Sequence, residues 1–310
     1  MQFMFAVILA DTGTEPDCWE IASGVCMPTV NLGHPDDGGT ELDSALKWLK
    51  LGGVGIDTAL VYNNQDQVGA AVRQSKVPRD KIFITTKIPC PPDAKLPPWD
   101  PPPGEGRMSP EKALEAVRED LRQLDVEFVD LMLLHFPCKS GTSDTIEMWK
   151  GLQEALAQNL TRAIGVSNFN SSDLDAVISV GGAKPAVNQC QMSIGSHDDA
   201  TIAYTKQLGI YYEAYSPLRR INLSTPLLVS IAKAHGKSPA QVALKWINQQ
   251  GVIIATSPGV NEKYMLQAFD LDNFSLTSEE MISLSELGKN EMLNTAVMQE
   301  QNRRDYAQVA

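Results

Sequence analysis

The strongest constraint on the fold of this chain is a rhythm. From Thr29 onward, short apolar runs alternate with amphipathic stretches. The apolar runs are Thr29–Gly33, Gly53–Asp57, Lys81–Lys87, Phe128–Leu134, Arg162–Val166, Ala186–Gln189, Ile210–Ala214 and Val252–Ala255. Each is short and carries no clean inside–outside alternation, as expected of strands in a parallel sheet covered by helices. The stretches between them have helical spacing. In Glu41–Leu51, for example, Leu42, Ala45, Leu46 and Leu49 share one face. Further helices are predicted over Gln67–Gln74, from Pro110, and over Thr145–Gln158, Ser172–Val180, Asp199–Gln207, Pro226–His235, Pro239–Asn248 and Glu262–Phe269. Ser109-Pro110-Glu111 and Lys237-Ser238-Pro239 carry start signals, a capping serine followed by proline at the first helical position. A last helix runs from the capping-type start at Leu276–Glu280 to Leu287.

Eight strand-then-helix units favour a closed (β/α)8 TIM barrel as one domain, with its core over about 25–287. The rival is a doubly wound sheet, which usually has fewer strands and a GxGxxG turn after the first. Here that turn reads Gly33-His34-Pro35-Asp36-Asp37-Gly38-Gly39. Ahead of the barrel, Trp19–Ile21 and Val25–Met27 flank a turn and predict a hairpin. Pro89–Pro110 is too rich in proline for a helix or a central strand, so a long semi-rigid loop is expected. Residues 289–310 are polar and read as a mobile tail.

The polar residues share one location. Asp57, Lys87, His135, Asn168, Gln189, Tyr215 and Ser257 all lie at or just past the C-terminal ends of predicted strands. In an α/β barrel those ends converge on one face, where active sites form. Taken singly, each residue has a bland reading: a half-buried tyrosine, a helix-capping aspartate, a solvated lysine, a satisfied core histidine. Together they suggest chemistry. A phenol with a pKa near 10 is a poor acid at neutral pH unless a cation stabilises its phenolate. Lys87 closes an apolar strand and needs a counter-ion, and Asp57 can supply one.

Six segments resemble the aldo-keto reductase family, in the family's order: Gly55–Asn64, Thr85–Lys87, Asp130–Pro137, Ile164–Phe169, Val187–Gln189 and Ala214–Leu218. Each match is weak alone and specific in combination. The resemblance implies a catalytic tetrad of Asp57, Tyr62, Lys87 and His135, with Tyr62 giving a proton to a carbonyl as hydride arrives and His135 positioning that carbonyl. It implies a nicotinamide dinucleotide as hydride source, NADPH/NADP+ with NADH as the alternative. Asp57, Ser167, Asn168 and Gln189 would bind the nicotinamide end, Tyr215 would stack on the ring, and Ser216, Pro217 and Leu218 would line the pyrophosphate. The family's hairpin plugs the barrel bottom.

The sequence also departs from the family. Thr256-Ser257-Pro258 stands where a Lys-Ser pair usually grips the 2′-phosphate, and Lys263 is the nearest counterpart of a later arginine. Arg219 and Arg220 could substitute as cations or simply be solvated. The usual pocket tryptophans are replaced by Pro35, beside His34, and by Pro89. Substrate walls are then expected from His34, Phe136 and, if the proline-rich loop folds over, Trp99. The expected partner is a small-molecule carbonyl. The alternatives are a nucleotide-binding barrel without turnover and a metal-dependent hydrolase. The latter has only four histidines to draw on, and no Cys/His spacing suggests a metal.

A net charge of −12 argues against nucleic acid, which needs clustered basic residues. No stretch is long enough to span a bilayer. Phe3–Ala10 is a short apolar run without a basic start, read as a strand or tail and not as a secretion signal. Five scattered cysteines, Cys18, Cys26, Cys90, Cys138 and Cys190, read as free thiols of a cytoplasmic protein. Cys18 and Cys26 could pair if the chain were secreted. A monomer or weak homodimer is expected.

Overall fold

The computed structural model describes residues 18–34, 40–90 and 108–288. The expectations for Phe3–Ala10, Pro35, Trp99, most of the proline-rich loop and the tail fall outside those residues.

Strands β1 (Cys18–Ala22) and β2 (Val25–Pro28) form the expected antiparallel hairpin. The next eight strands close into a parallel barrel: β3 (Val30–Leu32), β4 (Gly55–Asp57), β5 (Phe83–Ile88), β6 (Val129–Leu134), β7 (Thr161–Ser167), β8 (Val187–Gln191), β9 (Tyr211–Tyr215) and β10 (Ile253–Thr256). β10 pairs with β3, Ile254 against Val30, which closes the ring. The outer layer contains α1 (Glu41–Lys50), α2 (Gln65–Ser75), α3 (Pro110–Leu124), α4 (Thr142–Ala157), α5 (Ser171–Ile178), α6 (Asp199–Gln207), α7 (Pro226–His235), α8 (Pro239–Asn248) and α9 (Glu262–Phe269). Residues 278–288 are also helical.

The start signals act as the sequence predicts. Ser109 accepts the Lys112 N–H with Pro110 at the first turn, and Ser238 forms a full capping box with Gln241. Thr277 and Glu280 exchange the same reciprocal pair of bonds ahead of the last helix. Trp48, Trp149 and Trp246 are fully buried in the main apolar cluster of the fold. Inside the barrel a second cluster joins Ile21, Val25 and Met27 of the hairpin to Phe83, Leu131, Val187 and Ile253. The hairpin therefore plugs the N-terminal mouth.

The cysteines require a correction. Cys18 is bridged to Cys26, and Cys90 to Cys138, leaving Cys190 free. Hairpin pairing opposes Glu20 to Cys26 and brings the Cys18 and Cys26 Cα atoms to 5.5 Å. Cys90 and Cys138 lie just past the adjacent strands β5 and β6, with Cα atoms 5.2 Å apart. Both separations lie in the range that permits a bridge. The second pair is 48 residues apart in the chain, so only the folded barrel brings it together. The argument for a reducing compartment rested on free thiols and loses its premise.

Candidate active site

β4 delivers Asp57 to the C-terminal mouth and then breaks. A short 3-10 turn, Leu60–Tyr62, follows, with Asn63 in the left-handed region at φ 54°. Asparagine tolerates that conformation better than most residues. One strand over, Lys87 is fully buried near the end of β5. Its Nζ donates to Asp57 Oδ1 at 2.5 Å and to the Thr58 carbonyl at 2.8 Å. It lies 5.3 Å from the centre of the Tyr62 ring. His135, just past β6, meets that ring edge-on with centroids 5.7 Å apart.

Burial alone would push the Lys87 amine down; the Asp57 carboxylate, then Tyr62 and Glu213, lift it above its ordinary value. The lysine is thus held as a cation without water. Burial, reinforced by that cation, pushes His135 down to about 3. Its imidazole is neutral at physiological pH, able to donate a hydrogen bond without carrying charge. His135 Nδ1 is buried with no hydrogen-bond partner among the described residues, which a merely structural histidine seldom tolerates.

The opposite wall is a polar network. Asn168, at φ 63°, donates from Nδ2 to the His135 carbonyl and to Ser167 Oγ, both at 3.0 Å. Its Oδ1 accepts the Tyr215 hydroxyl at 2.9 Å. Ser167 Oγ donates to the Gln189 carbonyl at 2.8 Å. Gln189 donates from Nε2 to Asp57 Oδ2 at 2.7 Å. The two walls therefore form one connected unit around a cavity of about 410 Å³.

Asp57, Tyr62 and His135 line that cavity, with Ser167, Asn168 and Gln189 beside them. Tyr215, Ser216, Ser257, His34 and Phe136 complete the expected set, joined by Arg219. Lys87 sits behind Asp57 and does not line it. Pro217, Leu218 and Thr256 are not lining residues either; Thr256 is buried at the end of β10. Lys263 stands exposed on α9 and does not line this cavity. Phe136 is half exposed and stacks on His135 with centroids 4.7 Å apart. Among the described residues no cluster of His, Cys, Asp or Glu could hold a metal.

Several polar residues near the site were not singled out by the sequence. Glu41 is buried and accepts from Asn64 Nδ2 at 2.8 Å; it also pairs with His34 Nδ1 at 2.9 Å. Burial pushes its carboxyl up, while the His34 contact pulls against that shift. His34 in turn stacks on Tyr62 at 5.1 Å. Asp120, fully buried on α3, takes bonds from Thr86 Oγ1 at 2.8 Å and from Gln65 Nε2. Glu213 lies inside the barrel below Gln189. An acid inside an apolar strand, as in Tyr211–Tyr215, was the one available signal for it.

The donors suit a nicotinamide dinucleotide. Gln189 Nε2 is committed to carboxylates, which leaves its side-chain Oε1 to accept from a carboxamide. Tyr215 is half-buried, with its hydroxyl anchored and its ring on the cavity. Gly33 also lines the cavity, and an added Cβ there would come within 3.3 Å of Ser257 Oγ.

A profile of the Aldo/keto reductase family matches residues 40–289. Morphine 6-dehydrogenase of Pseudomonas putida is 35% identical over 280 residues, covering 86% of this chain and 89% of that protein. Glyoxal reductase of Bacillus subtilis is 32% identical, covering 89% and 94%. The solved structure of a Bombyx mori aldo-keto reductase in complex with NADP superposes with a TM-score of 0.77 at 26% identity, covering 88% and 93%. This chain belongs to the aldo-keto reductase family.

Proposed function

We propose that this protein reduces a small aldehyde or ketone to an alcohol with NADPH, NADH being the weaker alternative, and that Tyr62 is the proton donor. One observation carries this reading: a fully buried lysine, paired with Asp57, lies 5.3 Å from the ring of a tyrosine that lines one cavity together with a neutral histidine. A bound dihydronicotinamide would supply the hydride. As negative charge builds on the carbonyl oxygen, Tyr62 passes its phenolic proton there and the phenolate left behind faces the Lys87 cation. His135 donates to the same oxygen and orients it. Asn168 and Tyr215 hold each other and present a firm wall for the ring. Arg219 lines the cavity, which supports it as a cation for a phosphate; Lys263, exposed on α9, is the other candidate.

The test is purified protein with NADPH or NADH and 4-nitrobenzaldehyde, following loss of the reduced cofactor's absorbance. Tyr62→Phe should lose roughly 10²–10⁴-fold in kcat/KM while cofactor affinity changes little. Turnover that survives Tyr62→Phe intact would remove Tyr62 from its role. Tight cofactor binding with no turnover on a broad carbonyl panel would replace enzyme by binding module. The ratio of NADPH to NADH affinity reports whether the Thr256–Lys263 segment still recognises a 2′-phosphate.

A further inference from the structure

Beneath the cavity the barrel holds a second carboxyl that this chemistry leaves unused. Glu213, on β9, is fully buried. Its register neighbours are Gln189 on β8 and the apolar Ile253 on β10. One nitrogen, Gln189 Nε2, donates to Glu213 Oε2 and to Asp57 Oδ2, each at 2.7 Å. The other Glu213 oxygen accepts Asn31 Nδ2 from β3 at 3.3 Å. Asn31 fits only because position 55 on β4 is glycine: a Cβ there would fall 1.8 Å from Asn31 Oδ1. Four strands thus cooperate to seat one acid in the middle of a barrel.

A buried acid is costly without a cation. The titratable groups that act on Glu213 are Asp57 from β4 and Lys87 from β5; β3, β8 and β10 offer only neutral side chains. Lys87 is already paired with Asp57 and faces Tyr62 above. Tyr215, the other phenol at the cavity, is bonded to Asn168.

We propose, on the reading of the site as a carbonyl reductase, that Glu213 is a positioning residue: through Gln189 it holds Asp57, and its charge sets how far Lys87 stabilises the Tyr62 phenolate. With Glu213 protonated, one carboxylate opposes the lysine. With Glu213 ionised, two do, so Tyr62 keeps its proton to higher pH. Burial first, and the Asp57 carboxylate second, push Glu213 up to about 8. The second charge therefore appears just where alkaline pH begins to threaten the proton that carbonyl reduction needs.

The experiment compares Glu213→Gln with the parent in two ways. In pH profiles of kcat/KM for 4-nitrobenzaldehyde reduction, the alkaline limb should move down by roughly one pH unit. In cofactor-free protein, the ultraviolet titration of Tyr62, isolated by subtracting Tyr62→Phe in each background, should move the same way. Asn31→Ala, which removes a donor to the carboxylate, should shift both in the same direction by less, and keeps the test open should Glu213→Gln not fold. Lower stability with both curves unmoved would make Glu213 a packing residue and overturn the proposal. A shifted titration without turnover of any carbonyl would sink the reductase reading and leave the hold of Glu213 on Tyr62 standing. Normal turnover with an unshifted titration would sink the role of Glu213 alone.

Discussion

The two ends of the barrel handle buried charge in opposite ways. At the N-terminal end, Asp130 is buried and fully answered: Arg79 and Arg162 each reach it at 2.9 Å, and the Ile84 N–H donates at 2.9 Å. Arg162 also donates to the Gly24 carbonyl of the hairpin at 2.7 Å, tying the plug to the sheet. At the C-terminal end, among the described residues, a single lysine stands among Asp57, Glu213 and the Tyr62 phenol, and the neighbouring imidazole keeps an unpartnered nitrogen. The first arrangement closes a mouth. The second leaves several groups displaced from their ordinary protonation and opens onto a cavity, the condition under which groups exchange protons with a substrate. The same fold thus keeps stability and chemistry at opposite mouths.

Breaking a charge pair at each end should separate the two roles most sharply. Lys87→Met leaves two carboxyls buried without a cation. It should cost about 3–5 kcal/mol in chemical denaturation and abolish measurable turnover. Asp130→Asn should cost only about 1–2 kcal/mol, because its arginines remain partly in water, and leave kcat/KM within twofold. Equal stability losses, or loss of activity in Asp130→Asn, would erase the contrast.

The disulfides sharpen it next. On loop-closure entropy, opening Cys90–Cys138 by a double serine substitution should cost about 4 kcal/mol, and opening Cys18–Cys26 about 2.5 kcal/mol. The difference comes from sequence separations of 48 and 8 residues. Melting of each variant under non-reducing conditions checks the order.

The last contrast lies in pH. Folded His135 resists protonation down to about 3, whereas unfolded it takes a proton below 6.5. Its contribution to stability is therefore lost as pH falls from 6.5 toward 3, reaching about 2 kcal/mol by about pH 5. Glu213 runs the other way: its folded value is raised from 4.5 to about 8, so its contribution is full below 4.5 and lost as pH rises to 8. His135→Gln should flatten the acid slope of the melting temperature, and Glu213→Gln the alkaline one. Unchanged slopes would mean that neither group is displaced.

Much of this was legible in the chain. Apolar runs of strand length between helical-period stretches announced the barrel, and the polar residues closing those runs pointed to one mouth. Tyr62 lies past its strand end, yet the tight 3-10 turn after Asp57 returns it to the same mouth. Less legible were the groups whose partners are remote. Cys90 gives no sign of Cys138, and Glu213 gives none of Asn31 or Gly55.

Local periodicity and the residue that ends each strand are properties of short segments, so the sequence alone determined the barrel and the mouth at which its polar residues gather. Burial and charge pairing are properties of the space between strands. Only the closed barrel decided that Lys87 would be dry, that His135 would be neutral, that Glu213 would lie beneath them and that four cysteines would meet.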